Sequence, residues 1–300
     1  MNDAMKRIIG PNSAPAWFAG AVVATAVGII LSATSAQLPG AVPLTVEDAV
    51  DAAGAVALGG LGVVLVRRGV ADGLGRALML IVAVASSMWL CGGLADAITD
   101  GSSPPVTAQL LALISTVLFV PFFVLLVLVP LLLFPTGQLP SPRWRWLVAA
   151  AVSGTVVSMI SMLLAPGPLD EDVPMWGENP LGVDALDGLT SALGVVGLVL
   201  LLVTVPASIA AVVVRVARYT DPRRRQMWWF IAGVSPLLVG LVIDLGSSRT
   251  ASLISAIVIF TSLPAAMGWA LLGSPGRRVA LHVRQMEDRA QAQPSAPAQA

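Results

Sequence analysis

Residues 131–146 read LLLFPTGQLPSPRWRW, and they mark the point at which a long apolar segment stops, turns and restarts. Pro135 lacks a backbone donor and biases its predecessor away from the helical region, so an apolar helix is predicted to end at Phe134. Ser141 followed by Pro142 is typical of a helix start. The stretch therefore predicts two apolar helices joined by a short hairpin loop.

Two cations and two indoles alternate after this helix start, at Arg143, Trp144, Arg145 and Trp146. Indole rings settle at the level of the lipid headgroups, and arginines face the anionic cytoplasmic leaflet. The loop is therefore predicted to lie at the cytoplasmic edge of a membrane.

Composition agrees with a membrane protein. The 300 residues are 56% hydrophobic and only 11% charged, with a mean hydropathy of +0.86, which excludes the soluble globular class. The single cysteine, Cys91, leaves no disulfide framework and no CxxC metal site. We expect an all-α integral membrane protein embedded in the lipid bilayer, and we expect no nucleic-acid partner.

Eight apolar segments are predicted to cross the roughly 30 Å of hydrocarbon, at about 1.5 Å per residue. They are residues 14–35, 52–66, 77–97, 106–134, 147–165, 189–214, 227–245 and 251–273. The second is short unless it extends into the preceding outer loop, which holds Glu47, Asp48 and Asp51. Residues 1–273 would then form one polytopic membrane domain, and residues 274–300 a short, mostly disordered cytoplasmic tail.

The charges test this scheme independently, because the segments follow from apolar runs alone. Sixteen of the seventeen basic residues fall in the inner segments, and only Arg249 falls outside. Twelve of the seventeen acids lie in outer loops or at outer helix ends, where we expect Asp96 to be interfacial or solvated. The positive-inside rule then predicts that both termini are cytoplasmic.

Two stripes of small residues predict close packing between helices. Ala55, Gly59 and Gly62 share one face of the second segment. A second stripe, in the fifth segment, consists of Ala150, Gly154, Ser158 and Ser161.

The turn at the centre of the chain also resembles a known motif. FPTGQLPSPRWR is similar to the FPxGRLPSxRWR signature in the membrane-embedded N-terminal regions of sensor histidine kinases from high-GC bacteria. The matching residues are Phe134, Pro135, Gly137, Leu139, Pro140, Arg143, Trp144 and Arg145. Gln138 departs from the pattern, because the family usually has arginine there.

Two weaker resemblances follow in the expected order. They are Asn179-Pro180-Leu181-Gly182 in an outer loop and the run RYTDPRRRQ at residues 218–226. Together with the main motif, the resemblance covers roughly residues 58–230. It implies a membrane input module in a bacterial cytoplasmic (inner) membrane, with the chain ending where a kinase domain would begin.

The resemblance also implies a partner. In these kinases the last span continues into a coiled-coil helix, and Val279, Val283 and Met286 have heptad spacing in the tail. We expect either self-association through this seam or pairing with a separate histidine kinase. The alternative is a frayed helical exit whose arginines anchor the last span.

No enzymatic chemistry is predicted. His282 is the only histidine, and Val283 follows it where the phosphoacceptor motif of these kinases has an acid. No DxGxG, GxSxG, HExxH, P-loop or Rossmann pattern occurs in a matching context. We therefore expect a non-enzymatic protein with no catalytic residue, metal site or cofactor.

Two surfaces are candidates for interactions. The longest outer loop holds a candidate input surface for a cation or cationic ligand, formed by Asp170, Glu171, Asp172, Trp176 and Glu178. An acidic, solvated loop is the alternative. Arg223, Arg224 and Arg225 form a candidate cytoplasmic dock, for which ordinary positive-inside anchoring is the alternative.

The predicted function is that of a multi-pass membrane protein resembling a kinase sensor module and signalling through a partner. The rival function is a small-molecule transporter or permease. It rests on Pro121, Pro206, Pro236 and Pro264, which could break four spans around a binding cavity or merely kink them.

Overall fold

The computed structural model describes residues 9–36, 44–99, 104–171, 173–221, 223–244 and 249–273. Within them, eight long helices account for nearly all regular structure. They are α1 (Ala14–Ser35), α2 (Val46–Arg68), α3 (Asp72–Ile98), α4 (Val106–Leu133), α5 (Arg145–Leu164), α6 (Asp187–Arg218), α7 (Arg223–Asp244) and α8 (Arg249–Leu272).

The helices α1 to α6 are each long and apolar enough to cross a membrane. Their outer faces support that assignment. On α6, Val195, Leu198 and Leu202 follow a helical spacing and are 55% to 62% exposed. Apolar side chains exposed in such rows are costly in water but suit a lipid surface. The protein is therefore an all-helical, multi-pass membrane protein; spanning by α7 and α8 remains a prediction.

At the start of α2, the second apolar segment extends into the preceding acidic stretch, which is one of the two alternatives that the sequence left open. Glu47, Asp48 and Asp51 do not form a loop, because α2 already begins at Val46. Thr45 is its N-cap: the Thr45 hydroxyl accepts from the Asp48 amide, and the Asp48 carboxylate accepts from the Thr45 amide at 2.7 Å. This capping box starts the helix six residues before the apolar run at 52.

The central helices are α3 and α4. Helix α3 packs against α1, α2 and α4, while α4 also packs against α5 and α6; α7 and α8 form a pair that reaches the others mainly through α2. Backbones approach closely where small residues face each other. A Cβ on Gly62 would lie 2.7 Å from the Gly75 carbonyl oxygen. In the same way, a Cβ on Gly75 would lie 2.9 Å from the Gly62 carbonyl oxygen, so neither position has room for a side chain.

Both predicted small-residue stripes lie in helix contacts, as expected. Ala55 is buried, and a Cβ on Gly59 would meet Val82 of α3 at 2.6 Å. In α5, the buried Ser161 hydroxyl donates to the Thr190 carbonyl of α6 at 2.7 Å. Small and weakly polar residues thus let α5 and α6 pack tightly.

The prolines do not break their helices. Pro121 and Pro130 lie inside α4, Pro206 inside α6 and Pro264 inside α8, and each helix continues on both sides of its proline. Pro236 likewise falls within the bounds of α7. The broken-helix interpretation of these residues is therefore wrong.

Apart from the start of α8 at Arg249, the helix ends with basic residues lie at one end of the bundle. The turn after α4 lies against the start of α3, since a Cβ on Gly137 would be 2.9 Å from the Leu74 amide. The Arg76 Nε donates to the Ile9 carbonyl at 3.0 Å, and the Gln226 side chain donates to the Ala270 carbonyl near the end of α8. We name this the inner end and the opposite one the outer end.

A buried arginine holds the inner turn. Arg215 of α6 is 2% exposed, and its guanidinium donates to the carbonyls of Leu131 (3.0 Å), Leu132 and Gln138 (2.9 Å). The first two carbonyls belong to the last turn of α4, where carbonyl groups have no amide donor within the helix. Phe134 is fully buried beside them and stacks on Phe230 of α7, with ring centroids 4.2 Å apart.

Substitution of Arg215 should expose this dependence. Arg215→Leu leaves three carbonyls without their donors at the membrane edge, so we expect a loss of about 3 kcal/mol or more in the free energy of unfolding. The matched control is Arg218→Leu, because Arg218 is exposed and one turn away on the same helix. This substitution should change the free energy of unfolding by less than about 0.5 kcal/mol. Unfolding in mixed detergent micelles with increasing dodecyl sulfate measures both; equal losses would contradict the role of Arg215.

The predicted sides of the membrane can be tested with two exposed positions. In a Cys91→Ala background, Gln138→Cys lies at the inner end and Glu171→Cys at the outer end. An impermeant maleimide added to intact cells should label only Glu171→Cys. In lysed cells, the same reagent should label both variants. Labelling of Gln138→Cys from outside would overturn the cytoplasmic placement of the inner end.

Candidate functional site

A cavity of about 450 Å³ opens at the outer end, and we name it the outer cavity. Its lining comes from the outer ends of α1 to α5 and from the loop before α6. The loop enters through a short 3₁₀ turn, Pro174–Trp176, which contacts α3 and α4. An isolated bridge between Pro168 and Glu178 closes the base of the loop.

Asp96 connects three of these elements. One of its carboxylate oxygens accepts from the Trp176 indole N–H at 2.7 Å, and the other accepts from the Ser32 hydroxyl at 2.7 Å. A half-buried carboxylate with two donors fixes both partners, because charge-assisted hydrogen bonds are short and strong. Asp96 is therefore a structural junction between α1, α3 and the outer loop, and not simply solvated.

The outer cavity combines negative charge with soft apolar walls. Four carboxylates line it, those of Asp48, Asp51, Asp96 and Asp170, and no lysine or arginine is among its described lining residues. The walls carry aromatic and thioether side chains, namely Trp89, Phe119, Trp176, Met88, Met162 and Met175. Aromatic faces attract cations, and thioethers adapt to the shape of a ligand.

The carboxylates are spread around the cavity. Among the described residues, no three Asp, Glu, His or Cys side chains are grouped closely enough to hold a metal ion.

The structure separates the predicted input residues. Asp170 and Trp176 line the outer cavity, whereas Glu171 and Glu178 are exposed on the loop. Asp172 lies outside the described residues. Sequence reasoning did not identify Asp48 and Asp51 as cavity residues, and it did not include Asp96 in a binding site. The Thr45-Val-Glu-Asp48 capping pattern was the available signal, because it places Asp48 and Asp51 on one helix.

The residues of the family-like motif divide by burial. Phe134 and Pro135 are buried, and Leu139 and Trp144 pack against the core. Gly137 has φ +74°, and Pro140 is half-buried. Arg143 and Arg145 are exposed. The helix restarts through a 3₁₀ turn from Pro142, as predicted, although the Ser141 side chain makes no capping hydrogen bond.

The weaker motifs also contain capping residues. The Asn179 side-chain amide donates to the carbonyls of Met162, Leu163 and Ala165, at 2.8 to 3.2 Å, and so caps the end of α5. The candidate dock residues Arg223, Arg224 and Arg225 are exposed, while the following Gln226 is buried. The predicted tail seam, Val279, Val283 and Met286, and also His282, lie outside the described residues.

A second, larger space of about 910 Å³ lies at the inner end, and we name it the inner groove. It runs between α4 and α5 and ends at the start of α3 and the turn after α4. The outer cavity reaches Phe119 of α4, and the inner groove begins at Pro121, two residues further along the same helix.

The chain matches no protein-family model, no curated protein and no solved structure. Fold and composition define a multi-pass helical membrane protein, and its function has to be inferred from the two spaces themselves.

The junction at Asp96 can be tested by a double-mutant cycle. Asp96→Ala leaves the Ser32 hydroxyl and the Trp176 indole without their acceptor, so we expect a loss of about 1 to 3 kcal/mol in unfolding free energy. Trp176→Phe keeps the ring and removes one donor, and coupling between the two changes should be about 1 kcal/mol. Glu178→Ala, on the exposed part of the loop, is the control. Full additivity of Asp96→Ala and Trp176→Phe would mean that the hydrogen bond contributes nothing.

Proposed function

We propose that this protein is a non-enzymatic membrane sensor module whose input is an organic cation bound in the outer cavity. It signals through a partner, either a second copy or a separate histidine kinase, at the inner end. The observation that carries the proposal is the outer cavity itself, with four carboxylates, aromatic and thioether walls, and no described basic residue in its lining.

Charge and size both favour an organic cation. Four carboxylates in a partly apolar space raise the local concentration of cations. A cavity of about 450 Å³ lies within the usual range for small-molecule sites, roughly 300 to 1,000 Å³. Trp89 and Trp176 both line the cavity, and an alkylated ammonium group is attracted to an indole ring.

Two helices offer a route from this input to the inner end. Helix α3 carries Asp96 at the outer cavity and Arg76 at its inner start. Helix α4 carries Ser115 at the outer cavity and ends in the carbonyls that Arg215 holds. A ligand that shifts α3 against α4 would therefore move the inner turn, whose sequence is the one that resembles the kinase family.

The alternative function is transport of the same class of cation. The outer cavity and the inner groove approach each other on α4, between Phe119 and Pro121. The rings of Phe119 and Phe123 lie stacked at this level, with centroids 6.2 Å apart. A transporter would need the two spaces to connect in turn, whereas a sensor needs only the outer one.

Ligand binding can be measured with tetraethylammonium as the probe. The unfolding temperature of the purified protein should rise with tetraethylammonium chloride and not with sodium chloride at the same ionic strength. Asp96→Asn and Asp170→Asn each remove one cavity charge and should weaken binding by about fivefold or more. Glu171→Gln and Glu178→Gln remove loop charges outside the cavity lining and should leave the affinity unchanged.

Two outcomes count against the proposal. A wild-type protein that shows no shift with tetraethylammonium has no support for cation input, and equal losses in cavity and loop variants would indicate nonspecific attraction to the acidic surface. Uptake of labelled tetraethylammonium into liposomes containing the protein, abolished by Asp96→Asn, would favour the transporter over the sensor.

A further inference from the structure

The inner groove has the shape of a lipid site. Its apolar wall follows one face of α4 through Pro121, Val124, Leu125, Leu128, Val129, Leu132 and Leu133, and one face of α5 through Val148, Ala151, Val152, Thr155 and Val156. Val152 and Val156 are 57% and 47% exposed, so the groove opens on the side where α5 faces the bilayer. A lipid can therefore enter it without leaving the membrane.

The length of the groove fits one leaflet. From Pro121 to Leu133 the wall extends about 18 Å at 1.5 Å per residue. Half of a 30 Å hydrocarbon core is about 15 Å. An acyl chain lying along α4 would thus reach the inner headgroup level where the groove ends at Ala71, Asp72 and Gly73.

A buried donor at this polar end lacks a partner. Arg76 is 5% exposed; its Nε donates to the Ile9 carbonyl, and its Nη2 pairs with Asp72 at 2.5 Å. Its Nη1 is buried and has no hydrogen-bond partner among the residues that the structure describes. A buried guanidinium N–H without an acceptor is costly, so the geometry points to a ligand that supplies one.

The start of α3 adds to this donor. Its N-cap, Ala71, has φ +49° and provides no side-chain cap. The Leu74 and Gly75 amides donate to the Ala71 carbonyl, and the two preceding helical residues, Asp72 and Gly73, line the groove. Helix N-termini attract phosphate groups, because orphan amides and the helix dipole both favour negative charge. Arg76 and α3 together match a phosphodiester.

The neighbouring anion decides which phospholipid fits best. The Asp72 side chain lines the same end and is 38% exposed, so its carboxylate is available at the mouth of the groove. One cation and one anion there complement a headgroup that itself carries a phosphate and an amine.

We propose that the inner groove is a binding site for a zwitterionic phospholipid of the phosphatidylethanolamine class. The phosphate accepts from the Arg76 Nη1 and the amides of Asp72 and Gly73, the ammonium group pairs with the Asp72 carboxylate, and one acyl chain lies along α4 and α5. The site is independent of the cation input proposed above.

Native mass spectrometry of the delipidated protein tests this, using phosphatidylethanolamine and phosphatidylglycerol with the same acyl chains. The wild-type protein should bind phosphatidylethanolamine about fivefold more tightly than phosphatidylglycerol. Val152→Trp fills the groove from its exposed side and should weaken binding of both lipids by about tenfold. Ile160→Trp, on the same helix, 41% exposed and outside the groove lining, is the matched control.

The headgroup assignment has its own variant. Asp72→Asn removes the partner of the ammonium group and should abolish or reverse the preference for phosphatidylethanolamine, while both lipids still bind. A wild-type preference for phosphatidylglycerol, or an unchanged preference in Asp72→Asn, would overturn the headgroup assignment. Equal lipid binding by Val152→Trp, Ile160→Trp and the wild-type protein would overturn the site.

Discussion

The last carbonyls of a helix that ends at a membrane edge have no helical donor, and this constraint shapes the loops of the protein. Three neighbouring segments supply the missing donors: Asn179 at the end of α5, Arg215 at the end of α4 and Gln226 at the end of α8. Asn179, Arg215 and Gln226 therefore have a structural role, because each satisfies carbonyls at the end of a helix.

The two ends of the bundle differ in chemistry because they use different donors and acceptors. At the inner end, buried arginines donate to backbone carbonyls, as Arg76 does to Ile9 and Arg215 does to the turn after α4. At the outer end, a carboxylate accepts from side chains, as Asp96 does from Ser32 and Trp176. Because α3 and α4 reach both ends, a ligand at one end has a physical connection to the other.

The candidate site shows the limits of reasoning along the chain. The acidic outer loop was visible in the sequence, and two of its predicted residues, Asp170 and Trp176, do line the outer cavity. The other cavity carboxylates, those of Asp48, Asp51 and Asp96, are 74 to 128 residues away from these two in the sequence. No local pattern relates residues so far apart; only the packing of α2, α3 and the loop brings them together.

The sequence by itself determined the fold class and the helical segments. An apolar run long enough to cross a bilayer has no alternative to a helix there, because every backbone group must be satisfied within the segment. It also determined the turn at residues 134–141, since Pro135 and Pro142 act on their immediate neighbours. The tertiary structure decided what depends on distance: the burial of Arg215 against α4, the junction at Asp96, and the hydrogen bond from Arg76 to Ile9. These contacts join residues that are remote in the chain, and their energies arise only once the helices have packed.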